Sequence, residues 1–218
     1  MEMKKIVFST ALFSVAFVAQ AFNPIIAEPT RPYEPIVLEG AAYEEHQFLG
    51  DLNAYPEMYQ LSSEVAFDLK VNLRQSAKGE VMPLNFVVVR DDEENGGVIE
   101  VARLNQPADA WTQEKDRLTG VAYLKSRDVE IQAPAGTYRV EVNTPDNIGT
   151  YMLTIGEDEV SHGYFATLGN IRETQKHFGY SIFRMLFVPH VYYALGVIII
   201  LTGIYYTHRR RKSLTHGS

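Results

Sequence analysis

A short acidic run contains the residues in this sequence whose types and spacing could bind a metal ion. Asp91, Asp92, Glu93 and Glu94 are consecutive, and Asn95-Gly96-Gly97 follows them. Ca²⁺ is bound by several carboxylate and carbonyl oxygens that converge on one point, and a loop can bring carboxylates together in that way. The alternative is a solvated hairpin tip, because neighbouring side chains of an extended chain point in opposite directions. Both interpretations stay open at this stage.

Catalytic chemistry has no recognisable motif in the sequence. The chain contains no Cys, which removes Cys nucleophiles and thiolate zinc sites, and its 6 His residues do not pair at the spacing of metal ligands. Zinc-peptidase, nucleophile-elbow, dinucleotide-binding and phosphate-loop motifs do not occur. We therefore predict a non-enzymatic protein with no cofactor other than the calcium considered above.

The first 21 residues have the pattern of a secretory signal peptide. Lys4 and Lys5 form a basic start, Ile6 to Ala19 carry no charge, and Ala19-Gln20-Ala21 has the small residues of a cleavage site. The apolar run is short for a membrane span, and an uncleaved anchor is the alternative. Residues 1–21 are expected to be a signal peptide, and the following domain is expected to fold outside the cytoplasm.

A second apolar stretch has the length of a membrane-spanning helix. Residues 186–206 contain no Asp, Glu, Lys or Arg. As a helix they would be about 31 Å long, close to the thickness of the hydrocarbon core of a bilayer. Arg209 to Lys212 follow, and clustered positive charge favours the cytoplasmic side. We expect a single-pass type I protein with a transmembrane helix at 186–207 and a basic cytoplasmic tail at 208–218.

The charge of the expected exported part argues against nucleic-acid binding. Without Glu2, Lys4, Lys5 and the cluster Arg209 to Lys212, 14 of the 20 basic and 26 of the 27 acidic residues remain, so this part carries a formal charge of about −12. Neutralisation of phosphates by Lys and Arg supplies most of the affinity for nucleic acids. No nucleic-acid partner is therefore predicted.

The central region alternates between apolar and polar residues with the period of β-strands. Residues 22–35 include four Pro and are predicted to form an extended leader. Between residues 36 and 160, short alternating segments such as Val65 to Leu73 are separated by turn residues. This spacing is typical of antiparallel sandwiches. The predicted fold is mainly β, with an antiparallel, jelly-roll-like β-sandwich at 36–160.

The clearest predicted β-hairpin is the segment from Thr137 to Gly156. Its two alternating strands flank the turn residues Pro145-Asp146-Asn147 and Gly149. Tyr138 and Tyr151 both fall on the apolar face of this hairpin. We therefore predict that both tyrosines fill the core and do not contact a ligand.

Residues 161–185 change to the period of an α-helix. Tyr164, Leu168, Ile171 and Phe178 lie on one helical face, with charged residues between them. This amphipathic helix precedes the predicted span, so the four residues are predicted to contact a partner protein or the membrane interface. Packing of the same stripe on the chain's own sandwich is the alternative.

The segment from Pro134 to Gly156, PAGTYRVEVNTPDNIGTYMLTIG, resembles the last two strands of bacterial pre-peptidase C-terminal-type domains, which are small secreted β-sandwiches. The shared pattern is a Pro/Gly turn, Tyr-x-Val-x-Val, a polar turn with Asn-x-Gly, and Tyr-x-Leu-x-Ile-Gly. Gly163 to Ser181 with the adjacent span is similar to uncharacterised bacterial single-pass surface proteins. The resemblance implies a membrane-anchored sandwich, with calcium binding in some related domains, and brings no catalytic residues.

These features predict a membrane-tethered accessory module that serves as a subunit or adaptor of a membrane or envelope protein assembly. Its expected partners are the lipid bilayer, crossed by one helix, and other membrane or envelope proteins. A surface domain that binds a glycan, a peptide or calcium is the first alternative. A hydrolase with an unrecognised site ranks below both.

Overall fold

The computed structural model describes residues 24–29, 31–38, 44–92, 95–157 and 163–215, with the backbone alone for 208–215. Its strands are β1 (Pro24–Ile26), β2 (Ile36–Val37), β3 (His46–Asn53), β4 (Glu57–Ser63), β5 (Phe67–Ser76), β6 (Asn85–Asp92), β7 (Gly97–Leu104), β8 (Thr112–Lys115), β9 (Ala122–Lys125), β10 (Val129–Ala133), β11 (Gly136–Asn143) and β12 (Ile148–Ile155). Three helical segments follow the strands: α1 (Tyr164–His177), a 3-10 helix (Ile182–Phe187) and α2 (Pro189–Thr215). The predicted signal peptide, residues 1–21, lies outside the described residues.

The strands form two sheets in jelly-roll order. Sheet A has the order β1-β3-β12-β5-β9-β8, with β10 also paired to β5, and sheet B has the order β2-β4-β11-β6-β7. The order β3-β12-β5-β10 thus faces β4-β11-β6-β7, which is the arrangement of two interlocked Greek keys. The predicted jelly-roll-like sandwich is confirmed.

Alternating apolar side chains fill the space between the two sheets. On β5 the buried apolar residues are Phe67, Leu69, Val71 and Leu73, which alternate with polar residues on the opposite face of the strand. Aromatic pairs cross the gap, with Phe48 of sheet A 4.6 Å from Tyr59 of sheet B between ring centroids. Each large side chain buried in this way stabilises the fold by about 1.5–3 kcal/mol. Because the chain has no Cys and forms no disulfides, its stability depends on this packing.

The predicted β11–β12 hairpin is wrong. β11 pairs with β4 and β6 in sheet B, whereas β12 pairs with β3 and β5 in sheet A, so residues 144–147 cross from one sheet to the other. The apolar faces of both strands still point to one core, as the alternation required. Tyr138 and Tyr151 are each 0% exposed, and their predicted place in the core is confirmed.

The start of the sandwich also differs from the prediction. β1 lies within the expected leader 22–35 and pairs in parallel with β3, and β2 pairs in parallel with β4. Both sheets are therefore mixed rather than purely antiparallel. The strand predicted from Val65 begins at Phe67, since Val65 is exposed.

The C-terminal helix α2 includes a segment, Pro189–Thr207, that is long and apolar enough to cross a membrane. It is almost wholly exposed in the chain on its own. Pro189 is its first residue, where the missing amide proton costs no helical hydrogen bond. The predicted span began three residues earlier, at a stretch that instead ends the 3-10 helix.

Candidate functional site

Asp91 and Asp92 end β6, and Asp92 pairs with Gly97 at the start of β7. Asp91 accepts a hydrogen bond from Arg139 at 2.7 Å, and Asp92 accepts one from the Asn95 side chain at 2.8 Å. Glu93 and Glu94 lie outside the described residues. Within the described part of the chain, no three His, Asp or Glu side chains are placed to hold a metal ion. Calcium binding at Asp91, Asp92, Glu93 and Glu94 stays a prediction.

The C-terminal end of α1 packs on the outer face of sheet A. Phe178 is 6% exposed and its ring makes an edge contact with Tyr123, with centroids 5.2 Å apart. Leu49 and Met152 from the neighbouring strands complete this second apolar cluster. The contact is possible because these residues occupy outward positions on their strands, where the alternation would otherwise place polar side chains.

The loop between β8 and β9 accepts hydrogen bonds from α1 and from the 3-10 helix. The Arg184 guanidinium of the 3-10 helix donates to the Gly120 carbonyl from Nε at 3.2 Å and from a terminal nitrogen at 2.6 Å. Gln175 donates to the Thr119 carbonyl at 2.7 Å. Gly120 has a φ of +68°, a left-handed conformation that glycine adopts without strain. The loop thus presents two carbonyls to helical donors.

Tyr180, in the turn between α1 and the 3-10 helix, makes further contacts with the sandwich. The Ala122 amide donates to the Tyr180 hydroxyl at 3.2 Å, and the Lys78 ammonium lies 3.3 Å from the ring centroid. A cation placed over an aromatic face is attracted by the ring quadrupole. We call α1, this turn and the 3-10 helix together, residues 164–187, the connector. Apolar, charge-assisted and cation–π contacts all hold the connector to sheet A.

Two of the four residues predicted to bind a partner lie inside the chain. Ile171 is 0% exposed and packs with Val188 at the start of α2, and Phe178 packs on sheet A as described. Tyr164 is half-buried, because its hydroxyl donates to the His190 carbonyl at 2.6 Å. Leu168 is also half-buried. Phe178 thus packs on the sandwich, as the alternative interpretation expected, and Ile171 packs against the start of α2. Partner binding by Tyr164, Leu168, Ile171 and Phe178 stays a prediction.

A buried carboxylate lies beneath this junction. Glu57 of β4 is 3% exposed, and its Oε2 accepts hydrogen bonds from Tyr151 at 2.6 Å and from Tyr59 at 3.0 Å. The two phenolic oxygens are 2.7 Å apart. A Cβ atom at Gly50 of β3 would lie 2.6 Å from Glu57 Oε2, so only glycine leaves room for this triangle. The cluster joins β3, β4 and β12.

Proton counting indicates the charge state that suits the triangle. The triangle has three oxygen–oxygen contacts, and each hydrogen bond needs one proton. The two phenols supply two protons, and a protonated Glu57 carboxyl supplies the third, which an ionised Glu57 lacks. Burial raises the pKa of Glu57 above its ordinary 4.5, although the hydrogen bonds from the two tyrosines oppose this shift. Burial also raises the pKa of Tyr59 and Tyr151, which keeps both phenols protonated. Because Glu57 is almost inaccessible to solvent, the cluster cannot reach a ligand in this conformation and serves to connect the strands.

His177 connects the cluster to the connector. Its Nε2 lies 3.2 Å from the Tyr151 carbonyl oxygen, at the last residue of α1. Burial lowers the pKa of His177 below its ordinary 6.5, while hydrogen bonds to nearby carbonyls oppose the shift. A neutral imidazole at this place donates one hydrogen bond to Tyr151 without bringing a charge beneath the helix.

Comparisons with known proteins give solved structures of low identity and low TM-score. No protein-family model and no curated protein matches the chain. The pre-peptidase C-terminal domain of collagenase from Bacillus anthracis is 18% identical, with a TM-score of 0.36 over 58% of this chain and 98% of that one. A periplasmic inhibitor of g-type lysozyme from Aeromonas hydrophila, PliG, is 13% identical, with a TM-score of 0.37 over 61% and 97%. A family 35 carbohydrate-binding module from an environmental isolate is 15% identical, with a TM-score of 0.31 over 67% and 95%.

Proposed function

We propose that this chain is a non-enzymatic, membrane-tethered binding module, held outside the cytoplasmic membrane as an accessory to another membrane or envelope protein. The proposal includes cleavage behind Ala21 and type I topology. The resemblance of the segment from Pro134 to Gly156 to exported accessory domains agrees with it. The basic cluster from Arg209 to Lys212 favours a cytoplasmic C-terminus.

The observation that carries the proposal is the packed connection between the sandwich and the candidate span. A loose tether would let the sandwich sample many orientations, as flexible linkers do. Here Arg184, Gln175 and Phe178 each contact sheet A or its 116–121 loop within the last 15 residues before α2. A surface held at fixed height and orientation is suited to binding a neighbour in the same membrane, because tethering raises effective concentration.

The outer face of sheet B is the surface we propose for the partner. Among the described residues, the connector contacts sheet A and its loops, so this second face is left to solvent. Val87 and Val89 point outward from β6 beside Glu141 and Arg139 of β11, which are their register partners. Mixed apolar and charged surface of this kind is common at protein interfaces that form and dissociate.

Photo-crosslinking in the native host tests the proposal. We would place a photoreactive phenylalanine at Val89 in the full chain, and at Asp68 as the matched control, since Asp68 is exposed on an outward position of sheet A. We expect Val89 to crosslink to one membrane or envelope protein and Asp68 not to do so. Equal labelling from both positions, or release of the chain from membranes by alkaline carbonate, would overturn the proposal.

A further inference from the structure

Five exposed apolar side chains surround the start of the candidate span. Phe165 of α1 is 84% exposed, and the 3-10 helix adds Phe183 and Phe187 at 71% each, Ile182 at 56% and Leu186 at 52%. We call these five residues the apolar collar. Contiguous exposed apolar groups on a folded domain mark a surface that is covered by something else.

We propose that the apolar collar is embedded in the interfacial layer of the lipid bilayer, so that the connector contacts lipid directly and seats the sandwich on the membrane. The partner of this surface is the bilayer itself, at the depth of the headgroups and the first acyl carbons. This inference rests on the membrane attachment in the proposed function, and adds that residues outside the span also bind lipid.

Continuity with the span places the collar at that depth. The apolar window Pro189–Thr207 has 19 residues, which is about 28 Å of helix and close to the ~30 Å hydrocarbon core. The residues before Pro189 then fall in the interfacial layer, which is roughly 5–7 Å thick on each side. A six-residue 3-10 helix is about 12 Å long. It fits that layer only when it lies along the membrane surface.

The charged side chain of the 3-10 helix is bound to the sandwich. Arg184, the only Lys, Arg, Asp or Glu residue between positions 182 and 207, donates both of its described hydrogen bonds to Gly120 of the sandwich. On α1, Tyr164 turns its hydroxyl to the His190 carbonyl, which places the neighbouring Phe165 at the level of the first turn of α2. The sandwich thus binds the charged group of the segment, whereas the five apolar side chains stay exposed and free to enter an apolar layer.

Bromine quenching of tryptophan fluorescence tests the inference on the full chain in phospholipid vesicles. The background is Trp111→Phe, because Trp111 is the only Trp and its indole nitrogen has no hydrogen-bond partner among the described residues. Single Trp residues are then introduced by Phe183→Trp and Phe187→Trp. Ile199→Trp, 69% exposed within the span, and Val98→Trp, 53% exposed on β7, are the references.

Lipids brominated near the headgroup end of the acyl chain should quench Phe183→Trp and Phe187→Trp and shift their emission to the blue. Lipids brominated at mid-chain should quench Ile199→Trp, and neither lipid should quench Val98→Trp. If Ile199→Trp is quenched while both collar variants keep their full intensity, the collar inference is overturned and the span remains. Blue-shifted collar emission without quenching would likewise overturn it, in favour of a covering protein. An unquenched Ile199→Trp would refute the membrane attachment on which the proposed function also depends.

Discussion

The two outer faces of the sandwich differ in what covers them. The face of sheet A carries apolar residues at outward positions, Leu49, Met152 and Tyr123, and the connector covers them. The face of sheet B carries Val87 and Val89 between charged neighbours, and all four remain partly exposed. A sheet with one solvated face alternates cleanly, whereas a sheet covered on both sides does not. Apolar residues occur at outward positions of sheet A because the helical connector packs on them.

This difference teaches that the contacts that hold the connector lie on one side of the molecule, and that the surface we propose for binding lies on the other. Substitutions on the sheet A side remove contacts that hold the connector, so they change the folding free energy. Substitutions on the sheet B side meet solvent and change stability little, as surface changes generally do. Unfolding of the full chain in detergent, by urea or by heat, measures how far the two sides differ in their contribution to stability.

The largest losses are expected inside the core, under both faces. Tyr138→Ala and Tyr151→Ala should each reduce the free energy of unfolding by about 3–5 kcal/mol, the range for large aromatic truncations. The conservative changes separate the two sides: Tyr151→Phe removes a hydroxyl from the buried Glu57, whereas Tyr138→Phe removes one from the Pro134 carbonyl at the domain edge. We expect the greater loss for Tyr151→Phe. A Tyr138→Ala variant of unchanged stability would contradict the core assignment.

Removing the aromatic anchor of the connector should have the next largest effect. Phe178→Ala empties the contact with Tyr123 and should cost about 3 kcal/mol, at the lower end for Phe truncation, because the cluster is small. Phe165→Ala is the matched control in the same helix, since Phe165 is 84% exposed. Equal effects of the two substitutions on the unfolding transition would show that α1 does not pack on sheet A.

A single methyl group at Gly50 should destabilise the sheet A side. Gly50→Ala forces the Cβ to within 2.6 Å of Glu57 Oε2, so the carboxylate and the Tyr151 ring must shift. We expect a loss of about 1–3 kcal/mol, the usual cost of overpacking. Gly169→Ala in α1 is the control, because its Cβ would meet nothing within 4 Å and alanine favours a helix. Stability that falls equally in both variants would remove the steric explanation.

The Arg184 contact should contribute less than the apolar anchor. Arg184→Gln loses the forked donation to the Gly120 carbonyl and should reduce the free energy of unfolding by about 1–2 kcal/mol. Arg103→Gln on sheet B is the control. Arg103 and Glu100 form an ion pair in which both side chains are exposed, so its loss should leave the free energy of unfolding unchanged. Protease nicking after residue 177 should also become faster in Arg184→Gln alone.

The smallest expected effect is a dependence of connector docking on pH. The pKa of His177 is lower in the folded chain than the ordinary 6.5, so the unfolded chain binds more protons near that pH. Stability from this residue is therefore complete above pH 6.5 and is lost as the pH falls below it. His177→Gln should flatten that part of the melting-temperature profile. An unaltered profile in the variant would assign the dependence to another group.

Alternation along the chain was enough to predict the sandwich but not the pairing of its last two strands. The inward residues of β11 and β12 face one core whether the strands are neighbours in a sheet or opposite each other across the sandwich. The turn residues from Thr144 to Asn147 fit both connections, because four residues can close a hairpin or cross a gap of about 10 Å between sheets. Only the register with β4, β6, β3 and β5 decides between them.

The buried Glu57 cluster left a signal in the sequence that we did not use. Glu57 shares its strand face with Tyr59 and Leu61, so an acidic residue stands at a core position. Gly50 lies within another strand, where glycine often marks a close approach of neighbouring atoms. Neither signal names Tyr151, however, because that contact joins residues 94 positions apart. Long-range hydrogen bonds of this kind depend on the fold itself.

The position of β11 and β12 in the sheets has a consequence for how the chain folds. Each of these late strands lies between two earlier ones, β11 between β4 and β6, and β12 between β3 and β5. Sheet B is divided into two parts with unpaired edges until residue 143 is available, and sheet A until residue 155 is available. Folding is therefore governed by contacts distant in sequence, which is the slow regime. A nascent chain must therefore contain nearly its whole sandwich before either sheet is complete, and its open strand edges are exposed to wrong pairing until then.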